Sequence, residues 1–171
     1  MTKEEIINSF VLNHNEISNY VNSLIETDFI FKYKDKWSAG QQLSHVYLTL
    51  VPLQKILPLK ELLIRKNGTL NREPWSFEIL LKKYLNTSRK APEQFVPSEI
   101  KFVDKNKIIT DLKSVTKQIQ EILNSYNDEE FKSIVIPHPL LGKISIQELF
   151  YLMSYHPLHH KNNAIQNLKN K

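Results

Sequence analysis

Between residues 154 and 166 the chain reads "SYHPLHHKNNAIQ", which places three of its six histidines, His156, His159 and His160, within one short stretch. Imidazole is the side chain most often used to bind transition metals at neutral pH. His156 and His160 stand four apart. On a helix that spacing sets one ring above the other on the same face, so both can reach a single ion. The same spacing equally describes two helix-face histidines satisfied by hydrogen bonds. A tight site needs a third ligand from another element, and His45, in "KWSAGQQLSH", is the best candidate. It stands two turns into a helix opened by Ser38, on the side that also carries Gln41, Leu48, Thr49 and Pro52. A core histidine bonded to a backbone carbonyl is the alternative reading of His45. His14, between Phe10 and Ile17 with no companion at ligand spacing, reads as structural. His138, in "IPHPLLGK", is restricted to extended geometry by Pro139, and Gly142 lets the chain reverse, so this pair reads as a turn.

Any other chemistry must be built around these rings. Cysteine is absent, which removes disulfides, thiolate ligands and a cysteine nucleophile together. Thiol chemistry would therefore use an exogenous thiol. A formal charge of +5 admits anionic ligands, but Lys and Arg are scattered and never run beyond two, unlike a nucleic-acid footprint. No apolar run approaches the ~18–20 residues of a membrane-spanning helix. The opening "MTKEEIINSF" has acids where a secretory signal would carry its positive cluster, so the expected compartment is the cytoplasm.

At 171 residues the expectation is one domain over residues 1–171. Four segments carry helical periodicity. Thr2 and Glu5 form a capping box that opens the first, over 3–26, with Ile6, Phe10, Ile17 and Val21 inward. Ser38 and Gln41 open the second, over 38–63, which Pro52 should bend. Ile108, Leu112, Val115, Ile119, Ile122 and Tyr126 mark the third, over 105–126, as the cleanest apolar stripe. Ser145 and Glu148 open the fourth, over 145–168, with Ile144 stapled to Leu149. Four amphipathic helices around one core make an all-α four-helix bundle. Residues 67–104 form an irregular insertion holding a short helix in "PWSFEILLKKYLN"; its Trp75, Phe77, Lys82 and Lys83 are expected at the mouth of the site. "IVIP", 134–137, reads as a brief extended piece with no obvious partner.

On the fourth helix, Ile146, Leu149, Phe150, Met153, Ala164 and Leu168 define the core direction. At ~100° per residue, His160 falls ~40° and His156 ~80° from it, whereas His159 falls ~140° away and points out.

"KWSAGQQLSH" and "HPLLGKISIQELFYLMSYHPLHHKNNAIQ" together resemble the DinB-like superfamily, which includes the YfiT-type proteins and bacterial low-molecular-weight thiol transferases. The resemblance runs in order over nearly the whole chain. It implies a four-helix bundle in which one histidine of the second helix and two of the fourth bind a divalent metal, zinc or nickel, positions that correspond to His45, His156 and His160. It further implies a metal-dependent S-transferase acting on an exogenous thiol such as bacillithiol, mycothiol or glutathione. A hydrolase using bound water, or a non-enzymatic, metal-stabilised dimerisation bundle, are the alternatives. The expected partners are a small-molecule substrate, a thiol and a second copy of the chain in a homodimer, without nucleic acid or membrane. Pro157 departs from the family pattern, which has polar or charged residues there, and is expected to kink the helix beside His156.

Overall fold

Three of the long helices open on reciprocal hydrogen bonds, and each expected capping box is formed. In a computed structural model, which describes residues 1–86 and 91–171, Thr2 and Glu5 cap α1 (Lys3–Ser23), Ser38 and Gln41 cap α3 (Ala39–Ile56), and Ser145 and Glu148 cap α8 (Ile146–Leu168). Between α1 and α3 lies one short turn of helix, α2 (Glu26–Phe29). The remaining helices are α4 (Lys60–Asn67), α5 (Phe77–Leu85), α6 (Lys105–Asn124) and α7 (Asp128–Ser133). Residues 87–90 of the expected insertion lie outside the described residues.

The architecture is mainly α, with four long helices packed on one another: α1 against α6 and α8, and α3 against the same two. Phe10, Ile17, Leu43, Leu50, Leu112, Ile119 and Phe150 are all fully buried between them. Of the expected stripe of α6, Leu112, Val115 and Ile119 are buried, as is Tyr126 just past the helix, while Ile108 and Ile122 are half-buried and Ile109, Thr116 and Leu123 complete the inward face. Packing against α1 and α3 selects which edge of the stripe is covered. Gly40 sits where α3 meets Phe29 of α2: a Cβ there would lie 2.5 Å from the phenyl ring, so only glycine permits this approach.

The expected second helix over 38–63 is two helices, and Pro52 is not the reason. Pro52 lies inside α3, which stops at Ile56, ahead of Pro58, whose nitrogen has no hydrogen to donate to the preceding turn. The interruption is held by groups from afar. The Tyr126 hydroxyl donates to the Leu57 carbonyl at 2.5 Å, and burial pushes that phenol up to about 12. Lys60 pairs with Glu130 at 2.6 Å and lies over the Tyr126 ring.

"IVIP" does find a partner. β1 (Val135–His138) and β2 (Gly142–Ser145) form an antiparallel hairpin in which His138 pairs with Gly142 and Ile136 with Ile144. Gly142 adopts φ +73°, the left-handed region glycine enters at little cost. The alternation in "GKIS" is too short to be read as a strand from the sequence, and the hairpin exists because it leads into the cap of α8. Among the described residues no helix is long and apolar enough to cross a membrane.

Candidate metal centre

His45, on α3, reaches the interior two turns after its cap. His156 and His160 come from successive turns of α8 and meet it there; all three are buried. Pro157 does not break α8, which runs through it from Ile146 to Leu168. A proline in mid-helix disrupts bonding to the carbonyls of the turn before it. One of these, on Ser154, receives the Asn13 side-chain amide of α1 at 2.8 Å. The carbonyl left without its ladder donor is that of Met153, and the Asn13 bond ties α8 to α1 one residue further on.

The geometry of the three rings is convergent. Nε2 of His156 lies 3.1 Å from Nε2 of His45 and 3.0 Å from Nε2 of His160, and one ligand atom from each lies within 4.8 Å of the others. Two of the rings have their tautomer fixed from behind. His45 Nδ1–H donates to the Phe95 carbonyl at 2.7 Å, and His160 Nδ1–H donates to Gln42 Oε1 at 2.5 Å. Gln42 is itself oriented, since its Nε2 donates to the Trp37 carbonyl at 3.5 Å. Each neutral ring then presents a lone pair at Nε2, toward His156. Nδ1 of His156 is buried and meets no hydrogen-bond partner among the described residues. That ring therefore makes its polar contacts through Nε2 alone.

Lone pairs that crowd together at this spacing repel unless a proton or a cation lies between them. A single proton on His156 Nε2 points well at only one of its two neighbours. Two nitrogens bound to one zinc ion at ~2.0–2.1 Å in tetrahedral arrangement stand about 3.3–3.4 Å apart. The two separations from His156 are within a few tenths of an ångström of that. Burial keeps all three rings neutral: it lowers the pKa of His45, against a smaller opposing effect of the Phe95 hydrogen bond, and drives those of His156 and His160 well down, with their neighbouring histidines adding to the shift. Neutral imidazoles oriented through Nδ1 by a carbonyl or amide oxygen are the state in which histidine binds metal. The donor set fits a divalent cation of the zinc or nickel kind.

The centre opens onto a cavity of about 1100 Å³. Trp37 stacks parallel to the His160 ring, with centroids 6.2 Å apart, and leans on His45. His159 is not part of the cluster, as its angular position requires, yet it is only half-buried and lines the same cavity rather than facing away from it; its Nε2 accepts from the Asn163 amide. His14 is a core residue that donates Nδ1–H to the Phe10 carbonyl. His138 serves its turn, Nδ1 accepting from the Leu140 backbone, and its ring also reaches the cavity wall.

Trp75, Phe77, Lys82 and Lys83, expected at the mouth, are not among the lining residues; Tyr84 and Phe95 of the same region are. Trp75 is instead held between the Arg72 guanidinium, 3.5 Å from its ring centre, and Lys83. Glu148 does more than complete a cap. Fully buried, it also accepts two hydrogen bonds from Arg72, at 2.6 and 3.2 Å, and one from the Trp75 backbone at 2.7 Å. Gln42 was readable in principle, as the residue three before His45 on the same helix face; the Arg72 pairing had no sequence signal.

The chain matches no family model, and no curated protein matches it significantly.

Proposed function

We propose that the protein is a metalloenzyme of the DinB-like kind, in which His45, His156 and His160 hold a divalent ion and an exogenous low-molecular-weight thiol is transferred to a small electrophile. The observation that carries the metal reading is the convergence of three Nε2 atoms, two of them oriented from behind by Phe95 and Gln42. Bound by three neutral imidazoles, such an ion keeps an open position at which a thiol or water loses its proton near neutral pH.

The chain's own residues supply orientation and dryness. Phe95 and Gln42 hold two rings in the Nδ1–H tautomer, and Trp37 covers the cluster from one side. Glu148 offers no proton acceptor to the site, because both its oxygens are spent on Ser145, Arg72 and Trp75. A chain without a cysteine has no internal thiol to compete for the open position, which suits an external thiol and a bound water equally.

Metal analysis of protein loaded with zinc or nickel, followed by thiol consumption against a panel of electrophiles, tests the reading. One ion per chain and thiol-dependent turnover are expected, with His156→Ala losing both and His159→Ala keeping the ion. Ester hydrolysis without thiol would assign bound water as the nucleophile, and metal without any turnover would leave the ion a structural role.

A further inference from the structure

The cavity is larger and drier than three histidines and a small thiol require. Its two long walls are single helical stripes. On α3 the lining residues after His45 are Thr49, Pro52, Leu53 and Ile56; on α8, going the other way from His156, they are Met153, Leu152 and Leu149. Apart from the adjacent pairs Pro52–Leu53 and Leu152–Met153, successive residues on each stripe are three or four apart, so both walls run along their helix axes rather than around them. The hydroxyl of Thr49 is turned back on the Val46 carbonyl at 2.8 Å, which removes the polar atom of that wall. Beyond Ile56 the lining continues through Leu62 and Leu63 of α4 and Ile136 of β1, with Lys66 and Asn67 of α4 as its polar members there. From His45 to Ile56 the rise along α3 is ~16 Å, about the reach of a polar head and ten linear carbons together.

We propose that this cavity is a channel for an amphiphile: a linear substrate whose polar reacting head meets the three histidines and whose apolar tail lies between α3 and α8. The assignment rests on the metal-centre reading for the head and on the two apolar stripes for the tail. Pockets for small ligands ordinarily place a few convergent polar groups in an apolar lining. Here the convergent groups stand at one end, and the apolar length lies on one side of them. A compact electrophile would leave that length empty, whereas a medium-chain alkyl or acyl compound fills it.

The test uses straight-chain alkyl hydroxamates from butyl to dodecyl, binding being read by the fluorescence of Trp37, with Trp37→Phe as the control for the signal. Cobalt absorption reports separately whether the centre takes a metal. In metal-loaded protein the affinity should rise about threefold to fourfold per methylene and level off near the decyl probe. Metal uptake with affinity independent of chain length overturns the channel and leaves the metal centre standing. Should no metal bind, the same series of alkyl carboxylates with metal-free protein decides the channel alone: a rise with chain length supports it and a flat series overturns it. Ile56→Trp, which fills the far end, should leave the butyl and hexyl probes unchanged and remove the gain beyond about octyl. An unchanged decyl affinity in a folded Ile56→Trp protein places the tail elsewhere and refutes the proposal.

Discussion

Replacing His14 with methionine should flatten the dependence of stability on pH by an amount the structure fixes. His14 is 1 % exposed, its Nδ1–H is given to Phe10 and its Nε2 has no partner among the described residues. Burial holds its pKa down, from the ordinary 6.5 to about 4. A histidine whose folded pKa lies below its unfolded one favours folding fully above the unfolded value. As pH falls below ~6.5 the unfolded chain takes up a proton that the folded one refuses, so stability is lost between that pH and ~4, at up to ~1.4 kcal/mol per pH unit. Integrated from about pH 7.5 to about pH 5, this single ring accounts for ~2 kcal/mol. Buried His156 and His160 share the direction of shift, so the parent's total loss is larger. The difference between parent and His14→Met carries that ring together with its smaller electrostatic effect on His156. Urea unfolding followed by circular dichroism at the two pH values, on metal-free protein, gives the four free energies needed. Methionine changes the baseline at pH 7.5, and only the change with pH is compared. Parallel losses in the two proteins would mean that His14 accepts its proton inside the fold, and the account of its burial would be wrong.

Two further outcomes follow from contacts around the centre. Gln42→Leu removes the acceptor for His160 Nδ1–H without touching a ring, and metal affinity in a competition titration should fall ~10–100-fold; unchanged affinity would show that Gln42 does not orient His160. Gly142→Val places a β-branched residue at φ +73° where nothing within 4 Å resists a Cβ, so the cost is one of backbone conformation alone, ~1–2 kcal/mol in unfolding free energy with metal affinity intact; lost metal binding at unchanged stability would tie the hairpin to the centre.

Local signals in the sequence located the elements well where a cap marked them. Thr2, Ser38 and Ser145 each precede a helix whose first residue lies where the reciprocal bonds demand. The box of Asn127 and Glu130 that opens α7 has the same form and was equally readable. Boundaries drawn from apolar periodicity alone were poorer. In α6 the edge of the stripe moved, Ile109 and Leu123 being buried in place of Ile108 and Ile122, and the helix expected over 38–63 was interrupted after Ile56, because a period does not say which neighbour the face will meet. The three histidines were legible because two share a helix at ring-stacking distance and the third follows a marked helix start. The cavity was not legible, since Leu53 and Leu152 are ordinary core leucines until the walls they stand on face each other across open space. Nor was the burial of Glu148, whose partners Arg72 and Trp75 lie in a segment without periodicity.

The partner of His45 is a main-chain oxygen, that of Phe95. Side-chain identity at position 95 is therefore irrelevant to that hydrogen bond, and many single substitutions there should leave metal affinity unchanged even where they reshape the cavity wall. A change in length is different: adding or deleting one residue within the 3-10 turn Glu93–Phe95 would displace the carbonyl from His45 while altering no side chain that touches the rings. Across homologous chains this site would tolerate drift in letters along the segment and resist drift in spacing, so that gaps rather than mismatches would report whether the site is kept.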